Sequence, residues 1–151
     1  NADLYEKLFY NLNTTGAVLS PFDSYQLIRG LKTLSLRMER STANAREIVA
    51  FLEQSPAVKE VLYTGRGGMI SFKVEDEKRI PHILNTLKVF SFAESLGGVE
   101  SLITYPTTQT HADIPAEVRH SYGLTDDLLR LSIGIEDARD LIEDLRQALE
   151  G

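Results

Sequence analysis

The chain has 151 residues, enough for one domain with a hydrophobic core, and 42% of them are hydrophobic, as in ordinary globular proteins. Its net charge of −6 argues against nucleic acid as a partner, because phosphates require a basic surface. The absence of cysteine excludes disulfides, cysteine-ligated metals and thiol catalysis. There is no long apolar run and no leader-like start, so we expect a cytoplasmic protein without a membrane partner.

The first third of the chain is predicted to be helical. A short helix covers residues 2–12, and "SPFD" at 20–23 starts another with a serine cap, a proline and an acid in the first turn. Apolar residues then recur at helical spacing to about Gln54, where a Ser-Pro pair ends the pattern. Because this stretch exceeds the usual helix length, we expect a bend near Gly30 or Ser41.

The remaining residues alternate between predicted strands and helices. The glycine-rich segment 65–68 predicts a hairpin turn. Alternating short strands and helices predict an α/β (α+β) two-layer sandwich, with a mostly antiparallel sheet of about four strands and helices on one face. The strand segments are 58–64, 69–75, 89–92, 101–105 and 128–133, and the helical ones are 80–87, 114–123 and 136–149.

Signals for metals and for common cofactor loops are weak. The histidines His82, His111 and His120 do not have the spacing of metal ligands, so we expect no metal site. Neither a dinucleotide-binding loop nor a P-loop nor a nucleophile elbow occurs.

Arg130 is unusual because it lies in a predicted strand whose neighbours are apolar. A guanidinium in that setting needs an anionic partner, since burying an unpaired charge is costly. One alternative is an edge-strand arginine paired to Asp126, Asp127 or Glu136. The other is a fork that binds the carboxylate of a small molecule in a bidentate way.

The stretch "ESLGGVESLITYP" at 94–106 contains two Glu-Ser pairs separated by two glycines. It could be a plain strand-to-strand turn. Alternatively, Ser95 and the neighbouring amides face a ligand, and Glu94 provides a negative charge nearby. Residues alone leave both alternatives open.

Four segments together resemble the C-terminal part of the pyridoxal-phosphate-dependent transsulfuration enzymes. This family includes cystathionine γ-synthase, the cystathionine β- and γ-lyases and methionine γ-lyase. The matching segments hold their order over nearly the whole chain. They read "GAVLSPFDSYQLIRGLKTLSLRMERSTANA" at 16–45, "GGMISF" at 67–72, "ESLGGVESLITYPTTQTHADIP" at 94–115 and "LLRLSIGIEDARDLIEDLRQAL" at 128–149.

The resemblance implies roles for four residues. Arg130 corresponds to the arginine that holds the α-carboxylate of the amino-acid substrate, and Ser95 to the serine beside that carboxylate. Glu94 corresponds to the acid that faces the distal amino group of cystathionine, and Leu96 is expected to line the same site. The implied reactions are β- or γ-elimination or γ-replacement, on cystathionine or on an O-acylhomoserine with cysteine.

The resemblance also shows what this chain lacks. In the family, the Schiff-base lysine and the groups that bind the pyridoxal phosphate belong to a preceding large domain. We therefore expect residues 1–151 to be a single small C-terminal domain of a fold-type I enzyme, inactive alone, with residues 1–20 joining or packing on the large domain. The full enzyme is expected to be a homotetramer.

Two further points remain open on sequence alone. Family members usually have a longer loop where Gly65 to Gly67 nearly join two strands here, so a loop is either deleted or missing from the sequence. A rival from another class is a free-standing amino-acid-binding or regulatory α/β module without pyridoxal phosphate chemistry. A third alternative is a purely structural role in subunit packing.

Overall fold

Two helices make up the N-terminal unit, residues 1–35 of a computed structural model that describes residues 1–151. Helix α1 spans Ala2–Thr15 and helix α2 spans Pro21–Leu31. The side chain of Ser20 accepts a hydrogen bond from a backbone N–H in the first turn of α2, which confirms the predicted serine cap. Neither helix buries any of its residues within the chain.

The long predicted helical stretch is interrupted. Helix α2 ends at Leu31, and helix α3 spans Leu34–Leu52, so Lys32 and Thr33 separate the two helices. The interruption lies just after Gly30, one of the two places where a bend was expected, and the N–H of Thr33 bonds the Gly30 carbonyl in a tighter turn (3.4 Å). Ser41, the other expected place, lies inside α3.

The second unit, residues 36–151, is built on a five-stranded sheet in the order β1-β2-β5-β4-β3. All neighbouring strands are antiparallel except β3 and β4, which are parallel. The strands are β1 (Val58–Leu62), β2 (Met69–Val74), β3 (Ser91–Phe92), β4 (Leu102–Thr104) and β5 (Leu128–Ser132).

The strand count corrects the expected number of about four. Each of the five predicted strand segments contains one strand of this sheet, and β3 lies within the predicted segment 89–92. Its two residues, Ser91 and Phe92, pair with Leu102 and Ile103, so even this short segment joins the sheet. The mixed α/β fold with a mostly antiparallel sheet is confirmed.

Helices cover one face of the sheet. Residues of α3, of α4 (Ile80–Thr86) and of α6 (Ala138–Glu150) form one hydrophobic core with the inward side chains of the strands. Because side chains alternate along a strand, the residues between them lie on the opposite face. The sheet contributes Ile70, Phe72, Ile103, Leu129 and Leu131 to this core, and the helices contribute Ala45, Ile48, Leu52, Ile83, Leu141 and Leu145.

The opposite face of the three middle strands is polar at its centre, although Met69, Leu102 and Leu128 also alternate to that face. It has Ser71 and Lys73 on β2, Arg130 and Ser132 on β5, and Thr104 on β4. The segment between β4 and β5 has one short helix, α5 (Ala116–Ser121), and otherwise consists of turns. No helix of the chain combines the length and the hydrophobicity that a membrane span requires.

Candidate functional site

Arg130 lies at the centre of the sheet. Its strand, β5, is the third of five, and Arg130 is in register with Ser71 on one side and Thr104 on the other. The edge-strand alternative is therefore wrong. Sequence could not exclude it, because strand order is set by pairing between distant segments.

The three acids considered as partners of Arg130 all bind other groups. Asp126 contacts Arg119 at 3.5 Å and His120 at 3.3 Å. Asp127 contacts Lys59 at 3.5 Å. The carboxylate of Glu136 accepts hydrogen bonds from the backbone and side chain of Ser101 instead. Arg130 forms no ion pair within the chain and is only half-buried.

Only one nitrogen of the Arg130 guanidinium is used within the chain. Its Nη2 donates to the backbone oxygen of Glu94 and to Oγ1 of Thr104, both at 3.1 Å. Its Nε is buried without a hydrogen-bond partner. Since a guanidinium has five N–H donors, three of them have no acceptor in this chain.

The segment 93–101 connects β3 to β4. Because these two strands are parallel, the connection cannot be a tight hairpin turn, and the chain must travel back along the sheet before β4 begins. On this path the carbonyl of Glu94 accepts from Arg130, and the N–H of Gly97 donates to Oγ of Ser132 at 2.9 Å. The plain strand-to-strand turn is therefore wrong, and the segment lies against the polar side of β5.

A second set of contacts anchors the far end of this segment. The Ser101 N–H donates to Oε1 of Glu136 at 2.6 Å, and the Ser101 hydroxyl donates to Oε2 at 2.9 Å. The same hydroxyl accepts from the N–H of Gly134 at 2.9 Å. Ser101 is completely buried, and Ile135 donates its N–H to the Val99 carbonyl at 2.8 Å. These contacts hold the segment on the end of β5.

The anchoring role of Ser101 and Glu136 was missed at the sequence level. The sequence shows only a serine three residues after the diglycine and an acid after the last predicted strand, and neither feature by itself indicates an anchor. Without the strand order, nothing indicated that residues 35 positions apart meet.

The expected ligand-facing residues are open to solvent. Glu94, Ser95 and Leu96 are all exposed, Leu96 with 55% of its surface accessible. The structure brings the backbone of Glu94 to Arg130, while the side chains of Glu94 and Ser95 have no hydrogen bond or ion pair within the chain. Their roles stay predictions.

One lysine shares the polar face with Arg130. Nζ of Lys73 lies 2.6 Å from Oε2 of Glu60 on the neighbouring strand. Hydrogen bonding to that carboxylate raises the pKa of Lys73 above its ordinary value, and the charges of Glu60 and Asp127 act in the same direction against the opposing effect of desolvation. Lys73 is therefore held as an ammonium.

Comparison with known proteins identifies relatives over almost all of the chain. The sequence model of a family described as Cys/Met metabolism PLP-dependent enzyme matches residues 1–150. The chain is 57% identical over 146 residues to a cystathionine gamma-synthase/O-acetylhomoserine (thiol)-lyase of Bacillus subtilis, covering 97% of this chain and 39% of that protein. It is 50% identical over 164 residues to a cystathionine gamma-lyase of the same organism, covering 98% and 43%.

The fold is also similar to solved structures of this kind. A cystathionine gamma-lyase from Micromonospora echinospora superposes with a TM-score of 0.92 at 37% identity, covering all of this chain and 44% of that one. The chain thus spans about two fifths of the length of the relatives it matches.

The short β1–β2 hairpin is shared with one of these relatives. The 164 aligned positions of the gamma-lyase exceed the 151 residues of this chain, so that relative has an insertion. The 146 positions of the gamma-synthase cover 97% of the chain, which leaves no room for one. Residues 63–68 close the hairpin with a hydrogen bond from the Tyr63 hydroxyl to the Gly67 carbonyl at 2.8 Å. A connection without an insertion is thus also found in that gamma-synthase.

Proposed function

This chain belongs to the family of pyridoxal-phosphate-dependent enzymes of Cys/Met metabolism, and from that premise we propose that it is the C-terminal, substrate-binding domain of a cystathionine-handling enzyme. Pyridoxal phosphate is the cofactor of the full-length enzyme, and when bound it supplies an electron sink for the reacting amino acid. The role of this chain is to hold and orient the α-carboxylate of the substrate.

The observation that carries the proposal is the incomplete bonding of Arg130. Its guanidinium has three N–H donors without an acceptor, and no acid neutralises it. Leaving charged donors unpaired costs free energy, and a bound carboxylate would satisfy them. Because Nη2 is already tied to fixed oxygens, the guanidinium plane is held and the remaining donors are preorganised.

The neighbouring segment completes the site. The Ser95 hydroxyl is free to donate to the same carboxylate, and the Glu94 carboxylate is free to attract an ammonium at the distal end of the substrate. Leu96 provides apolar surface between them. Each of these roles requires an exposed side chain without an intrachain partner, and exposure is what these residues have in common.

The lysine on the face of Arg130 does not fit the role of a Schiff-base lysine for the cofactor. A lysine that forms a Schiff base must lose its proton, and Lys73, which shares the face of Arg130, is held as an ammonium by Glu60. We therefore propose that residues 1–151 alone are inactive and that the cofactor is bound by a large domain of the same enzyme.

The N-terminal unit supports a location beside that domain. Its helices bury no residue, and Leu4, Leu8 and Phe9 each expose more than half of their surface. Exposed apolar side chains in such number mark a contact surface. We propose that residues 1–20 join or pack on the large domain, and that the full enzyme is a homotetramer, which light scattering would measure.

Within the family, a γ-synthase is favoured over a lyase. The alignment with a relative named cystathionine gamma-synthase/O-acetylhomoserine (thiol)-lyase leaves no room for an insertion, whereas the gamma-lyase relative has additional residues somewhere within the aligned region. The substrates would then be an O-acylhomoserine and cysteine, with cystathionine as product. Product analysis of the full-length enzyme with these substrates, against cleavage of added cystathionine, tests this choice.

The central experiment is Arg130→Ala in the full-length enzyme. We expect KM for the amino-acid substrate to rise by about a hundredfold, because a charge-assisted bidentate contact is lost. Arg139→Ala is the matched control, since Arg139 is an exposed arginine that pairs with Asp137. An unchanged KM in Arg130→Ala would refute the proposed role.

A titration of residues 1–151 with cystathionine, without cofactor, separates this proposal from a free-standing amino-acid-binding module. We expect no heat of binding at millimolar ligand, because Arg130 alone provides too few contacts. Submillimolar binding would favour the module instead.

A further inference from the structure

The contact between Arg130 and Thr104 gives the site a component that the sequence did not indicate. Thr104 ends β4, is 1% exposed, and is directly in register with Arg130 on the next strand. Its Oγ1 accepts from Nη2 of Arg130 at 3.1 Å. It is thus the one side chain of the chain that bonds the arginine.

The Thr104 hydroxyl is also a donor, to the carbonyl of Ala93 at 2.7 Å. With its proton used there, the lone pairs of Oγ1 remain to accept from the guanidinium. Ala93 is the residue where the chain leaves β3, and its own N–H bonds the Ile103 carbonyl at 3.0 Å. Oγ1 of Thr104 therefore forms hydrogen bonds both with Ala93, at the start of the 93–101 segment, and with the guanidinium of Arg130.

Glu94 closes this arrangement. Its carbonyl accepts the second bond of Nη2 at 3.1 Å, directly after the residue that Thr104 holds. The two acceptors of Nη2 are thus fixed relative to each other by the Thr104 hydroxyl. Two bonds from one nitrogen to fixed oxygens determine the rotation of the guanidinium plane and the direction of its unused donors.

We infer that Thr104 is a positioning residue, which orients Arg130 and the Glu94–Ser95 segment for the substrate carboxylate without touching the substrate. The inference rests on the proposed function of Arg130 and deepens it. A buried apolar residue of the same shape would leave Nη2 and the Ala93 carbonyl each without one partner. The guanidinium would then rotate, and its alignment with the ligand would be lost.

The test is Thr104→Val in the full-length enzyme with bound cofactor, beside Thr104→Ser and Arg130→Ala. We expect valine to raise KM for the amino-acid substrate by about tenfold, the effect of one hydrogen bond to a charged group, with kcat changed far less. Serine, which keeps the hydroxyl, should restore KM to within about twofold of the wild type. Thr86→Val is the matched control, because the Thr86 hydroxyl also donates to a carbonyl at 2.7 Å, that of His82 on α4.

A second readout separates positioning from general damage. The inhibition constant of an unreactive substrate analogue is compared with that of its α-carboxamide, which lacks the charge. If Thr104 acts through Arg130, Thr104→Val should weaken binding of the carboxylate analogue but hardly change binding of the carboxamide. The double variant Thr104→Val with Arg130→Ala should lose no more affinity for the carboxylate analogue than Arg130→Ala alone.

The outcomes keep the two hypotheses distinct. The role of Thr104 would be overturned if Thr104→Val weakened binding of the carboxylate and the carboxamide equally. It would also be overturned if the KM of Thr104→Val were the same as that of Thr86→Val. In both cases Arg130→Ala would still raise KM, so the proposed function would stand. An unchanged KM in Arg130→Ala would instead overturn the proposed function. If valine prevents folding, Thr104→Ala compared with Thr104→Ser gives the same contrast.

Discussion

The two Glu-Ser pairs on either side of Gly97 and Gly98 have the same sequence and opposite environments. Ser101, in the second pair, is completely buried, and its N–H and hydroxyl take part in three hydrogen bonds with Glu136 and Gly134. Ser95, in the first pair, is exposed and has no hydrogen bond within the chain. The second pair anchors the segment, whereas the side chains of the first pair are exposed, next to the backbone contact with Arg130.

The difference teaches that a dipeptide gains its role from what the fold places opposite it. Ser101 meets a carboxylate and a backbone N–H at the end of β5, so its hydroxyl is fully satisfied inside the protein. Ser95 follows the residue whose carbonyl accepts from Arg130, and it is exposed, so its hydroxyl can only be satisfied by water or by a ligand. Within the eight residues 94–101, the pair that anchors the chain is thus separate from the pair for which we propose a binding role.

The largest expected effect comes from Gly134, which follows β5 by two residues and lies against the backbone of the anchored segment. A Cβ on Gly134 would lie 2.1 Å from the Val99 carbonyl oxygen and 2.7 Å from the Glu100 carbonyl carbon, both backbone atoms that cannot move aside singly. We expect Gly134→Ala to lower the free energy of unfolding by about 3 kcal/mol or more. Urea unfolding of the purified enzyme measures it.

Gly98→Ala is the control, because a Cβ there would meet chiefly the flexible end of Glu100, at 2.8 Å. A change within about 0.5 kcal/mol is expected. Equal losses in the two variants would show that the segment is not fixed at the anchored end.

Next in size is the carboxylate that receives Ser101. Glu136→Ala removes the acceptor of two charge-assisted hydrogen bonds and leaves the Ser101 N–H and hydroxyl unpaired, at an expected loss of about 2 to 3 kcal/mol. Glu100→Ala, at an exposed acid of the same segment, should be nearly neutral. If neither Glu136→Ala nor Glu100→Ala lowered the free energy of unfolding, the bonds between Ser101 and Glu136 would not be what holds the segment.

The serines test the comparison directly. Ser101→Ala should cost about 2 kcal/mol, since the Gly134 N–H and Glu136 each lose a partner, and hydrogen exchange at the Gly134 amide should become faster. Ser95→Ala should leave stability within about 0.5 kcal/mol but raise KM in the full-length enzyme. The contrast between the two serines would be wrong if Ser101→Ala kept its stability and its hydrogen exchange at the Gly134 amide while Ser95→Ala lost stability.

The smallest effect is expected at the turn between the pairs. Gly97 has φ +76°, a left-handed conformation, and its N–H bonds Ser132. Because no atom lies within 4 Å of an added Cβ, Gly97→Ala should cost only the backbone strain, about 1 kcal/mol. A loss as large as that of Gly134→Ala would indicate a steric contact that the structure does not contain. Circular dichroism during urea unfolding is sufficient to rank the two.

Sequence alone determined much of this protein. Local patterns predicted the serine cap of α2, the glycine turn at 65–68 and an amphipathic last helix, because caps, turns and apolar spacing depend on neighbours in the chain. The family resemblance at residues 94–115 and 128–149 then pointed to Arg130 and to the segment beside it.

Tertiary structure decided what those residues meet. That β5 is central, that β3 and β4 are parallel, and that Ser101 reaches Glu136 all depend on pairing between segments far apart in the chain. The bond from Arg130 to Thr104 is of the same kind, since 26 positions separate the two residues. Short-range patterns cannot specify such pairings, because the free energy that selects them comes from packing one sheet face against three helices.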